Sequence, residues 1–224
     1  SFRYILAHTV VPVLRTALLV LACAGALGWL GWKFVYRPLA ANALYRSGYE
    51  RIAEDRYPDA EAAFAKAGKI RDVKAWYYRY AEAYAAKRQY ILAERKYAAL
   101  LARYPAETKG ALDWARLEKE QLKFKEAAEI LQKRILERAY HQKDALLLLG
   151  DVYLAWAEEE PKYYEEARRA YAALIERYGS EDAYLERMLL YFVRTDKLEE
   201  VLPLKDGFMS AKKLFPSADT LAEL

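Results

Sequence analysis

Cysteine, histidine, proline and glycine are all scarce in this 224-residue chain. The single cysteine, Cys23, rules out an internal disulfide, and the two histidines, His8 and His141, make a zinc site untenable. Nine glycines and seven prolines amount to about 7% of the residues, below the usual ~12%. Sandwiches and barrels need many Gly/Pro turns, so this scarcity argues against an all-β fold. Beyond residue 40 every glycine is isolated, which excludes a phosphate-cradling loop, and no serine sits in a G-x-S-x-G turn. His141 stands alone in a polar stretch, and Glu158-Glu159-Glu160 ahead of Pro161 reads as a solvated acidic turn. No catalytic residue, metal, cofactor or small-molecule substrate is expected, and the chain reads as a non-enzyme.

Acid is missing from the first 37 residues, which hold Arg3, Arg15, Lys33 and Arg37. They carry the whole net charge of +4, so residues 38–224 balance at 32 basic and 32 acidic side chains. No surplus of cations is left to neutralise a phosphate backbone, which speaks against nucleic acid as a partner.

What the sequence does have is apolar surface: 55% of its residues are hydrophobic, enough to offset the entropy of ordering. Thr16 to Trp32 is a run without charge, and adding Val10–Leu14 across Arg15 makes 23 positions, about 35 Å of helix. A hydrocarbon core is ~30 Å thick, so residues 1–37 read as a membrane-spanning segment with its flanks, helical over about 10–36. Trp29, Trp32 and Tyr36 cluster at one end as an interfacial belt does. Ala22-Cys23-Ala24 resembles a cleavage site, but nine further apolar positions follow Cys23, which a signal peptide would not have. Ala24, Gly28 and Gly31 share a helical face and would permit close helix–helix packing in lipid. Pro38 suits a helix start and should open the soluble domain with no flexible linker before it.

The remainder is periodic. Gly48 is followed by Ala60, Phe64 and Ala67, Ala81 by Ala93, Tyr97 and Leu100, and Ala115 by Ala127, Leu131 and Arg134, always at offsets of 12, 16 and 19. Gly150 heads a fourth set, Ala167, Tyr171 and Leu174, delayed by five extra residues within 158–164. Within each set the apolar residues have helical spacing, as Tyr77, Tyr80, Ala81 and Tyr84 do. Tyr104-Pro105, Tyr178-Gly179 and Phe215-Pro216 each close a second helix. A small residue in one helix lets the next approach, and the aromatic four residues after the alanine fills the groove between them.

This spacing resembles the tetratricopeptide repeat, a 34-residue helix–turn–helix unit, over about residues 40–216. Leu44, Gly48, Ala60 and Phe64 match in the first unit, and Tyr77, Ala81, Ala93, Tyr97 and Pro105 in the second. Trp114, Ala115 and Ala127 match in the third, and Leu146, Leu149, Gly150, Ala167 and Tyr171 in the fourth. Arg51 and Glu118 depart from it, standing where the family has large apolar residues. The resemblance implies an all-α fold, an α-solenoid of about five helix–turn–helix units after one transmembrane helix. The units fall at about 41–73, 74–107, 108–142, 143–180 and 181–216, the last one degenerate, within a domain spanning 38–216. Residues 217–224 read as the start of a further helix, and the chain is expected to continue beyond Leu224.

The family's inner wall is lined by first helices. On that template the partner-binding residues would be Tyr45, Tyr49 and Ile52, then Tyr78 and Glu82, then Leu112 and Arg116, and finally Leu147 and Asp151. Partners are therefore expected to be proteins, copies of the chain among them, together with the lipid bilayer. A carboxylate-clamp subtype is not expected, because Asn42 is the only asparagine. The resemblance implies a membrane-anchored scaffold in a bacterial envelope assembly, such as a flagellar-motor collar or a secretion accessory. Periplasmic repeats are preferred by analogy with similar single-span proteins, although the basic residues after the apolar run count towards the cytoplasm. The alternative is a regulatory or assembly subunit that acts mainly through its transmembrane helix.

Overall fold

The computed structural model describes residues 11–137, 143–179, 182–197 and 199, and among them all regular structure is helical. His8, His141, the second half of the fifth unit with Phe215-Pro216, and the helix start at 217–224 lie outside the described residues.

Helix α1 (Val11–Gly31) does not stop where the sequence suggested. It passes through one π-helical turn, Trp32–Tyr36, into α2 (Arg37–Ala53) without leaving right-handed helical backbone. Pro38 is the physical cause. Proline has no N–H, and in a regular α-helix its ring would strike the carbonyl four residues earlier, that of Phe34. Widening the preceding turn moves that carbonyl aside, and the Arg37 N–H instead donates to the Trp32 carbonyl five residues back. Pro38 thus opens α2 as expected, but as a register shift inside one rod. From Leu18 to Ala53 the rod is a single helix of 36 residues, and its apolar portion is exposed throughout. Leu21, Leu27, Trp29, Phe34 and Leu39 are each more than half exposed.

The chain forms two compact units, residues 1–86 and 87–224. In the first, α2 folds back against α3 (Tyr57–Ile70), and α4 (Lys74–Ala86) packs on α2. The shared core is aromatic: Tyr45, Phe64, Trp76, Tyr77, Tyr80 and Tyr84 are buried among Ala41, Ala60, Ala67 and Ala81. Phe64 meets Tyr45, Tyr77 and Tyr80 edge-on, with ring centroids 4.8–5.1 Å apart. The Tyr80 hydroxyl donates to the Tyr45 carbonyl at 2.8 Å and passes directly over Gly48.

The second unit contains α5 (Tyr90–Arg103), α6 (Thr108–Glu120), α7 (Phe124–Leu131, prolonged by a π turn to Leu136), α8 (Lys143–Trp156), α9 (Tyr164–Tyr178) and α10 (Asp182–Arg194). Neighbours in sequence pack as hairpins, α6 on α7 and α8 on α9, and α8 also meets α6 and α10. One core surrounds Ala115, Leu131, Ile135 and Val152, and a second surrounds Tyr171, Leu174, Tyr184 and Tyr191. The five extra residues of the fourth unit form a turn and a short 3₁₀ helix, Pro161–Tyr163. Tyr163 stacks on Trp156 at 3.6 Å, which ties the insertion to α8.

Four of the five first helices end on a left-handed residue, the exception being α8, which runs into the insertion. Asp55, Leu122 and Asp196 each adopt a left-handed backbone with φ of 54–60°, and Arg88 shares it at φ 57°. At Asp55 the amide donates to the Ile52 carbonyl and the next amide, Arg56, to that of Arg51. Leu122/Lys123 and Asp196/Lys197 repeat both bonds with Lys119/Glu118 and Val193/Phe192. This is the Schellman closure, normally built on glycine. Because α10 ends with it too, the segment 182–197 follows the same pattern as the earlier first helices, although the sequence reads as degenerate there. Leu122 is 65% exposed, so its side chain recovers little for the left-handed strain. Leu122→Gly is expected to raise stability by about 1 kcal/mol, lifting Tm by roughly 2–4 °C in thermal unfolding.

Candidate interaction surface

The expected inner-wall residues divide by their position relative to the small residue of each first helix. Tyr49, Glu82, Arg116 and Asp151 each follow that residue directly; the first three are exposed, and the Asp151 side chain is 19% exposed. The positions three before and four after fare differently. Tyr45 is 0% exposed, Ile52 1% and Leu112 8%, which removes all three from any contact surface. The cause is the next first helix. Trp76 of α4 stacks on Tyr45 at 5.5 Å, and the Tyr45 hydroxyl donates to the Arg71 carbonyl at 3.1 Å. Tyr78 and Leu147 are half-buried, Leu147 against the core of α8, α9 and α10.

In the second unit a recess of about 360 Å³ lies between α6, α8 and α10. Lys119, Asp151, Glu158, Arg187 and Arg194 line it over an apolar base that includes Leu154 and Leu190. The Tyr171 hydroxyl and Arg187 Nε both donate to Asp151 Oδ1, each at 2.8 Å. Burial, reinforced by the Asp151 charge, pushes the Tyr171 phenol far above its usual pKa, so it stays a donor. Two turns further on, Arg194 Nη1 donates to Glu158 Oε1 at 2.8 Å. The carboxylates fix the orientation of the arginines, and Lys119 adds a further cation to the recess.

Asp151 was read from sequence as a surface contact. The structure places it in the recess, with its carboxylate already engaged. Arg187 and Arg194 were missed because the fifth unit looked degenerate, and Glu158 was read only as part of a solvated acidic turn. A signal was present: Asp151/Arg187 and Glu158/Arg194 are opposite charges each 36 residues apart, about one repeat.

Glu118 explains its departure from the family pattern. It is 3% exposed, accepts from Trp114 Nε1 at 2.6 Å, and lies 3.5 Å from Lys123 Nζ, which also bonds Glu94. Burial raises the Glu118 pKa, and the Trp114 and Lys123 contacts offset only part of that rise. Arg51, the other departure, reaches the Asp59 carbonyl in the first turn of α3 at 3.2 Å. On α1 a Cβ at Gly28 or Gly31 would meet nothing within 4 Å, so this face is unoccupied in the single chain. Among the described residues no group of His, Cys, Asp and Glu could hold a metal ion.

No family model matches the chain, and no curated protein is significantly similar to it. A solved structure does match: PilF of Pseudomonas aeruginosa, a tetratricopeptide helical-repeat protein reported in a functional characterization. It is 16% identical to this chain, with 84% of this chain aligned to 82% of that one at a TM-score of 0.55. The fold is an α-solenoid of tetratricopeptide-like hairpins. At that identity the likeness speaks for the fold alone. The N-terminal helix is long and apolar enough to cross a membrane.

Proposed function

We propose that the chain is a membrane-anchored adaptor whose repeats hold protein partners beside a bilayer, as part of a bacterial envelope assembly. The observation that carries this reading is the rod Leu18–Ala53. Its first half offers lipid an apolar surface with nothing packed on it, and its second half is the first helix of the repeat domain. Partners would meet the exposed side chains of each unit by itself: Tyr49 and Glu82 beside Tyr78 in the first, and Arg116 in the second. Arg187 and Arg194 make the recess of the second unit suited to an acidic segment of a partner.

The test is photo-crosslinking in native membranes. A crosslinker at Arg116 or Arg194 is expected to capture the same partner, and one at Lys133, on the second helix of its hairpin, is not. Equal capture at Lys133 would sink the reading. Protease added to sealed vesicles of known sidedness reads the orientation: periplasmic repeats survive in inside-out vesicles and cytoplasmic ones are digested.

A further inference from the structure

Residues 38–224 have no net charge, yet the folded first unit separates its charges along its length. The antiparallel packing sets which residues share an end. Arg37 Nη2 donates to the Ile70 carbonyl at 2.7 Å, Tyr45 Oη to the Arg71 carbonyl, and Trp76 Nε1 to Asn42 Oδ1 at 3.1 Å. The start of α2, the end of α3 and the start of α4 therefore lie together, immediately beyond the apolar half of the rod.

Dividing the three helices at their midpoints sorts the charges. The end next to the apolar rod carries Arg37, Lys66, Lys69, Arg71, Lys74 and Arg79, all exposed, against the single acid Asp72. The far end has the opposite balance: Glu50, Glu54, Asp55, Asp59, Glu61 and Glu82 against Arg46, Arg51 and Arg56. A recess of about 420 Å³ lies in the basic half, between α2 and α4. Its lining joins Leu39, 64% exposed, and Trp76 to Arg79, whose guanidinium sits 4.8 Å over the Trp76 ring. Lys33 extends the positive strip back into the π turn, 4.7 Å over the Trp29 ring.

We infer that this end is a docking face for anionic phospholipid headgroups of the bilayer that α1 crosses. The inference rests on the anchoring reading above. Continuity of the rod puts the basic end within a turn or two of the interface, inside the ~8–10 Å over which surface potential acts. Phosphates would meet the six cations, with the exposed Leu39 against the glycerol and upper acyl region. The acidic end is held away by the same geometry, so the unit would stand upright and resist tilting on anionic lipid.

The experiment uses the full chain with Cys23→Ser, reconstituted in vesicles of phosphatidylcholine alone or with added phosphatidylglycerol. A fluorophore is placed at Ala75→Cys in the basic half or at Ala62→Cys in the acidic half, and quenching by a neutral aqueous quencher is read. Added phosphatidylglycerol is expected to protect residue 75 and leave residue 62 unchanged. Salt and the reversal Lys66→Glu/Lys69→Glu/Arg71→Glu should each remove the protection, since the loss of each cation alone weakens the contact about fivefold and the added carboxylate weakens it further. If residue 75 quenches equally in both lipids while the protein resists carbonate extraction, the docking is overturned and the anchor stands. Loss from the vesicles under carbonate overturns the anchor and the docking with it. Protection in neutral vesicles that rises with protein density assigns the basic end to the acidic end of a second copy and overturns the lipid assignment.

Discussion

Gly150→Ala is expected to destabilise the second unit by about 2 kcal/mol, although alanine is the better helix former. In a free helix the exchange gains about 0.5–1 kcal/mol. At this position a Cβ would clash with the Cε1 edge of the Tyr171 ring, 2.7 Å from Cζ and 2.8 Å from Cδ1. Tyr171 is fully buried and tied to Asp151, so it cannot swing away. Overpacking of this kind costs roughly 1–3 kcal/mol and outweighs the helix gain. Gly48→Ala belongs to the same class, since its Cβ would strike the Tyr80 hydroxyl and come within 2.8 Å of Ala63 Cβ. Gly68→Ala is the control. Its Cβ finds only the Tyr45 hydroxyl, at 3.6 Å, an ordinary contact, and the variant should be more stable than the parent by about 0.5 kcal/mol. Chemical denaturation measures all three, and a Gly150→Ala as stable as the parent would refute the close-approach account.

Tyr45→Ala is expected to cost about 3–5 kcal/mol, the usual loss for a buried aromatic. It removes the stack on Trp76, the edge contact with Phe64 and the bond to the Arg71 carbonyl. Tyr45→Phe should lose only the hydrogen bond, about 1 kcal/mol. Tyr49→Ala, at 41% exposure, should cost under ~1 kcal/mol. The sequence treats these two tyrosines as equivalent, so the contrast measures how far their environments differ. Denaturation midpoints that fall equally for Tyr45→Ala and Tyr49→Ala would overturn the assignment of Tyr45 to the core.

Features that depend on close backbone approach were legible. Gly48 and Gly150 have the size that packing against Tyr80 and Tyr171 requires, and no larger residue could stand there. The aromatic positions Tyr97 and Tyr171 were readable for the same reason: each follows its alanine by four residues and is buried. The exposure of Tyr45, Ile52 and Leu112 was not, because a family template gives a face and the neighbouring helix decides what covers it. Trp76 is the particular residue that covers Tyr45. The left-handed closures were hidden because Asp55, Arg88, Leu122 and Asp196 occupy positions where glycine would have announced them. The charge separation in the first unit was hidden by counting, since a zero sum over residues 38–224 says nothing about which end each charge occupies.

A flexible tether would have let the repeats forget what happens to the segment before them. The rod from Leu18 to Ala53 has no such joint, and at 1.5 Å per residue it is about 54 Å of stiff lever. A piston stroke or a twist applied ahead of Trp32 would be carried along the helix towards Tyr45 and Gly48, and the widened turn before Pro38 is where the helix already accommodates a step of one residue.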